Sequence, residues 1–218
     1  MKQIDKFWNW FLANEEAIIH AIRFGINFDE IFLYFNRHFT GISKRIGFMI
    51  KLSNYEEKHT IVFSAGGYPK LFAKIRALEQ QAPKLLYFTP QAFIKPLQDK
   101  TAIMEGRDSG YGFGDYNIRI SQLYLSMDQY DLPTKRLRIT IYLPAEYDDL
   151  RMYDDNLECY LTCIVIDIVG EVAFRKHIRA FQIAGVSDSK KGLLKLIELQ
   201  DCIDHLCQID ARRKTRSL

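Results

Sequence analysis

An α+β architecture is predicted by three features of the chain: apolar stripes at helical spacing near both ends, short alternating β-branched segments between them, and Gly- or Pro-containing turns separating the two. The predicted sheets are mixed or antiparallel, packed with two N-terminal helices and a long C-terminal helix.

The first helix is marked by Ile4, Trp8, Phe11, Leu12, Ile18, Ile19 and Ile22 on one stripe, with Gly25 as its stop signal. Trp10 falls on the opposite side from Trp8, which leaves a tryptophan for a partner. Asn27 is a good cap for a second helix carrying Phe28, Ile31, Phe32, Phe35 and Phe39 as far as Gly41. Ile46, Phe48, Ile50 and Leu52 then alternate, and a polar turn over residues 54–58 joins them to a β-branched run over 60–63, which predicts a hairpin. A Gly-rich turn leads into a helix bearing Leu71, Phe72, Ile75 and Leu78 that ends before Pro83, and a strand over 85–88 follows.

Periodicity fails between Pro96 and Tyr116, where Gly106, Gly110, Gly112 and Gly114 crowd together. That stretch is expected to be a linker or a long loop, dividing the chain into an N-terminal half, 1–98, and a C-terminal half, 115–218, or else lying within one continuous domain. Ile118 and Ile120 alternate in one phase and Leu123, Leu125 and Met127 in the other, the signature of a β-bulge. Leu137, Ile139, Ile141 and Leu143 form a clean strand whose other face carries Arg136, Arg138, Thr140 and Tyr142. Residues 160–168 are apolar on both sides and predict a central strand. A short helix over 171–177, a strand around 181–183 and a long helix over 187–209 complete the chain. Residues 61–67 and 164–170 each end a second strand and enter a helix, so both halves read as strand-strand-helix-strand units.

Composition narrows the function classes. Of 218 residues, 48% are hydrophobic and 26% charged, which excludes disordered and collagen-like chains. The formal net charge is +3, and subtracting Arg212, Arg213, Lys214 and Arg216 of the tail leaves −1 for the body. The body therefore carries no basic footprint for nucleic acid, and the tail reads as a solvated end. No apolar run of about 20 residues is present to span a bilayer, and no signal-peptide pattern opens the chain, so a cytoplasmic location is expected. Cys159 and Cys163, placed on a strand, would stand about 14 Å apart, too far for a disulfide. Cys202 and Cys207 fall about 140° apart on a helix, and all four cysteines read as reduced packing residues.

Several short motifs recur in a known order: Phe7-Trp8-Asn9-Trp10-Phe11 with Asn14-Glu15, then Ser64-Ala65-Gly66-Gly67, Ala82-Pro83 and Gly170-Glu171. They resemble a family of uncharacterised bacterial proteins related to a domain of unknown function. The resemblance implies a bacterial cytoplasmic α+β protein and brings no activity, cofactor or catalytic residue with it.

Candidate chemistry is sparse. Glu15 falls within the first apolar stripe, where a carboxylate must find a partner or shift its pKa; it is either a general acid or base or a structural carboxylate held by a donor. Asp167 and Glu171 are further catalytic candidates as paired carboxylates at a sheet edge, with helix capping as the alternative. Gly66 and Gly67 are candidate ligand residues in a turn whose N–H groups can meet an anion, although the turn lacks the P-loop ending. Arg107, Tyr111 and Phe113 are candidate ligand contacts if their loop is a flexible lid, with an ordinary mobile connection as the alternative. Glu146, Asp148, Asp149, Asp154, Asp155 and Glu158 cluster without calcium-loop spacing, and none of the five histidines stands at metal-ligand spacing, so no metal and no cofactor is expected. With twelve Tyr, fifteen Phe and two Trp against so few reactive groupings, the leading expectation is a non-enzymatic interaction protein with a protein partner or a second copy of itself. The alternative is an enzyme or small-ligand binder with a cleft between the halves.

Overall fold

The first apolar stripe forms two helices. In the computed structural model α1 (Lys2–Ala13) and α2 (Glu15–Phe24) are interrupted at Asn14, whose side-chain amide donates to the Trp10 carbonyl at 2.7 Å. The backbone N–H of Asn14 reaches the same carbonyl at 3.1 Å, so this oxygen accepts two bonds where the helix breaks. The structure describes residues 2–53, 57–186 and 191–215, with only the backbone described for Tyr153 and residues 210–215. The chain divides into two units, Met1–Ile94 and Lys95–Leu218.

In the first unit α2 stops at Gly25, which takes φ 68° and donates its N–H to the Ala21 carbonyl, the left-handed cap that glycine allows. Helix α3 (Phe28–Thr40) follows, but Asn27 itself adopts φ 56° and its side chain makes no capping bond, contrary to its expected role. Strands β1 (Gly47–Lys51) and β2 (His59–Ser64) form the predicted antiparallel hairpin; the turn expected over 54–58 lies partly outside the described residues. Helix α4 (Phe72–Gln80) then crosses over to β3 (Phe88–Ala92), parallel to β2, so the order is β1-β2-β3. The strand lies three residues later than predicted. Pro90 obscures it, since proline donates no ladder bond and is tolerated only because β3 is an edge.

Aromatic rings fill this unit. Phe7, Phe11, Phe35, Phe39, Phe63 and Phe88 are fully buried, and Phe7 meets Phe35 edge to face at 5.4 Å. Trp8 is buried with its indole N–H donating to the Leu78 carbonyl at 2.9 Å. Trp10, expected to remain for a partner, stacks on His38 at 4.8 Å and is half-buried.

The stretch expected to be a linker is folded into the second unit. It holds α5 (Thr101–Met104) and a hairpin of β4 (Tyr111–Phe113) and β5 (Tyr116–Ile118), and Leu97, Ile103, Tyr111 and Phe113 pack on the core of that unit. Gly110, at φ 79°, lies so close to the Asn117 side chain that a Cβ would overlap it, which accounts for one of the crowded glycines. The phase change after Ile120 is a single 3₁₀ turn, Ile120–Gln122, and the bulge sits further on, between Met127 and Gln129. Strands β6 (Tyr124–Asp131) and β7 (Arg136–Leu143) are antiparallel, and β8 (Ile178–Gly185) runs parallel to β7. The short β9 (Leu194–Lys195) meets β6 at Tyr124 and Leu125, giving the order β8-β7-β6-β9.

The crossover from β7 to β8 runs through α6 (Asp148–Tyr153), α7 (Leu157–Val169) and α8 (Glu171–His177). Helix α7 occupies the segment predicted as a central strand. Its buried residues Leu161, Ile164, Val165, Ile168 and Val169 follow helical spacing, and Cys163 between them is exposed. The second strand of this half is therefore β7, so residues 61–67 and 164–170 do not correspond, although hairpin, helical crossover and parallel strand recur in both units. The last helix, α9 (Leu199–Thr215), begins about twelve residues later than predicted, behind a 3₁₀ turn, Leu196–Glu198; residues 187–190 lie outside the described residues.

Candidate functional site

Glu15 is buried, 4% exposed, and its two carboxylate oxygens accept the backbone N–H groups of Leu86 at 3.1 Å and Tyr87 at 2.7 Å. A carboxylate engaged at both oxygens by fixed donors joins α2 to the entry of β3. Of the readings open from sequence, the structural one describes it.

Three candidates meet in the second unit. Tyr111 donates its hydroxyl to Asp167 at 2.9 Å, and Phe113 stacks on Tyr160 at 4.3 Å, so β4 is held against α7 by a phenol–carboxylate bond and a ring pair. Burial, then the charge of Asp167, pushes the Tyr111 phenol well above its usual range. Such a phenol is a poor acid at neutral pH, and the pair ties β4 to α7. Glu171 is fully buried at the first turn of α8, where the helix dipole favours an acid. Asp167 and Glu171 lie on two helices joined at Gly170, not at a sheet edge as predicted.

The remaining candidates stay scattered. Gly66 and Gly67 take φ 55° and 75°, and the Gly66 N–H is bound by the Ser64 hydroxyl at 3.1 Å, so steric demand explains both glycines. Arg107 is exposed and pairs with Glu105 beside it. In the acidic connection Asp148 pairs with Arg151 at 2.8 Å and Asp154 accepts the Asn156 N–H, as ordinary turn residues do. Among the described residues no group of three or more His, Cys, Asp or Glu is placed to hold a metal ion. Cys159 and Cys163 are one helical turn apart and exposed on α7, which corrects their placement on a strand and as packing residues. Burial, then Cys159, then Asp167 raises the Cys163 thiol. The side chains of Arg212 to Arg216 lie outside the described residues.

A further candidate surface lies in the second unit. The face of the β8-β7-β6-β9 sheet that carries the polar residues of β7 is open. Register places Tyr124 opposite Tyr142, Ser126 opposite Thr140 and Gln129 opposite Arg138, while Thr140 and Arg138 face Gln182 and Ala180 of β8. Ala180, in the middle of its strand, is exposed, as are Arg138, Gln129 and Gln182. The bulge after Met127 adds Asp128 to this face, where its oxygens accept Ser126 and Thr140 hydroxyls, each at 2.7 Å. Asp128, Gln129, Arg138, Thr140, Ala180 and Gln182 line a shallow concavity of about 450 Å³. The alternation of Arg136, Arg138, Thr140 and Tyr142 marked the outer side of β7; the contribution of Asp128 depends on a bulge that sequence spacing does not locate.

No helix among the described residues is long and apolar enough to cross a membrane. No known protein family, curated protein or solved structure matches this chain.

Proposed function

We propose that this is a non-enzymatic interaction protein of a cytoplasmic, reducing compartment that receives a protein partner on the open sheet face of its second unit. The carrying observation is that face, bare across three strands and furnished with Tyr, Arg and Gln, residue types suited to recognition. Two of the three expected catalytic carboxylates, Glu15 and Asp167, are by contrast engaged by backbone or phenol donors. The aromatic wealth that first suggested a partner carries less of this reading, since the first unit uses most of it internally. The free cysteines agree with a reducing compartment. Kinship with uncharacterised bacterial proteins, on the strength of the FWxWF-x-x-NE, SAGG and AP motifs, belongs to the same reading.

Charge reversal at the exposed Arg138 tests it. Light scattering and lysate capture with wild type and R138E should show a complex, with a second copy or another protein, that weakens about tenfold or more in the variant. Circular dichroism should match between the two. A wild type that stays monomeric and retains the same proteins as R138E overturns the proposal.

A further inference from the structure

The outer side of β8 can be read from one bond at its end. The Val186 N–H donates to the Leu143 carbonyl at 2.8 Å, just beyond the pair Leu143 and Gly185 of the parallel ladder. In a parallel pair alternate residues turn both backbone groups toward the neighbouring strand, so Ala180, Gln182 and Ala184 share the inward direction of Val186. Phe181, Ile183 and Gly185 therefore aim their N–H and C=O groups away from β7. Among the described residues no strand lies beyond β8, and none of these three makes a backbone hydrogen bond off the ladder. The rim thus offers an alternating row of donors and acceptors.

Natural edges are blunted by charge, proline or a bulge along the strand. This one is not: the pairing runs without interruption from Arg138 and Ala180 to Leu143 and Gly185, the register shift lies before it, and residues 180–185 hold neither a charge nor a proline.

The rim also complements itself. Residues opposite one another in an antiparallel pair share a face, so a two-fold axis at Gln182 sets Phe181 against Ile183 and Ala180 against Ala184 of a second copy. Phe181 and Ile183 are half-buried on the core of the second unit, and their mutual contact extends that core across the axis. Both aim their backbone groups outward, so they supply the hydrogen-bonded pairs. Arg179, the one charge of the strand, falls at the opposite end from its counterpart, whereas a parallel partner would set arginine beside arginine.

We propose that β8 pairs antiparallel with β8 of a second copy about a two-fold axis at Gln182, joining two four-stranded sheets into one continuous sheet. The axis closes the assembly at two copies. This contact uses the rim of the sheet and goes beyond the partner assigned to its face; neither Phe181 nor Ile183 lines the concavity there.

Light scattering of the full chain from about 1 to 300 μM tests it, and wild type should pass from monomer to dimer. I183A and I183P both remove a half-buried side chain, but only proline removes the outward N–H, which the β7 ladder does not use. I183P should therefore dimerise about tenfold more weakly than I183A, or worse, with matching circular dichroism. Q182C, at an exposed position, brings its Cα atoms to roughly 4.5 Å across the axis, within disulfide reach. Diamide should cross-link it at least about tenfold faster than wild type with its four native cysteines. A wild type that stays monomeric throughout overturns the proposal. So does equal dimerisation of I183A and I183P, or cross-linking of Q182C no faster than that of wild type.

Discussion

Removing the Glu15 carboxylate by E15A strands two backbone donors. Hydrogen bonds to a charged group contribute about 1.5–3 kcal/mol each. The Tyr87 N–H, at 2.7 Å, loses its acceptor at a half-buried residue, whereas the Leu86 N–H, at 3.1 Å, belongs to an exposed residue and can recover water. The expected loss is therefore about 2–4 kcal/mol, below the full sum of two such bonds. E15Q keeps one acceptor oxygen but sets an amide N–H₂ against the other donor, and should cost about 1–2 kcal/mol. Urea unfolding followed by tryptophan fluorescence suits the measurement, because Trp8 and Trp10 both belong to the unit that Glu15 braces. An E15A protein within about 0.5 kcal/mol of wild type, the range of an ordinary surface substitution, would refute the bracing role and reopen Glu15 as a reactive acid.

Other perturbations have equally definite outcomes. Gly170 joins α7 to α8 at φ 80°, ψ 148°, a conformation open essentially to glycine alone, so G170A should destabilise the second unit by about 1–3 kcal/mol in hydrogen exchange of α7 amides; exchange unchanged by the methyl would count against strain at the junction. His59 and His177 both have folded pKa values lowered, chiefly by burial. The unfolded chain thus takes up more protons below the ordinary imidazole value near 6.5, and stability present above it should fall as the pH drops from 7 to 5. The slope reaches about 1.4 kcal/mol per pH unit for each histidine, and a flat denaturation profile over that interval would contradict it.

What could be read from sequence divides along physical lines. Helix α3 and the hairpin of β1 and β2 were legible because each has one apolar face and a clear turn signal nearby. Helix α7 was not. Its Ile- and Val-rich run satisfies a buried strand as well as a buried helix, and only the spacing from Leu161 to Val169, against outward Thr162 and Cys163, separates the two. The break at Asn14 depends on one side-chain amide reaching back to Trp10, and β3 on an edge tolerating Pro90; neither leaves a periodic trace. At the site level, Glu15 was legible as a carboxylate in need of a partner, but Leu86 and Tyr87 lie more than seventy positions away. The outward row of β8 follows from the backbone bond between Val186 and Leu143, which residue spacing cannot reveal.

Strand β9 shields β6 only at Tyr124 and Leu125, so beyond that point, among the described residues, the outer rim of β6 has no strand beside it. A straight rim of this kind would invite another extended chain to zip on and seed fibrous stacking. Here the rim is kinked after Met127 and bears Asp128 and Asp131, so an approaching ribbon meets both a bend and negative charge. The irregularity that furnishes the open sheet face with a carboxylate thus also guards the molecule against sticking to itself edge-on along β6.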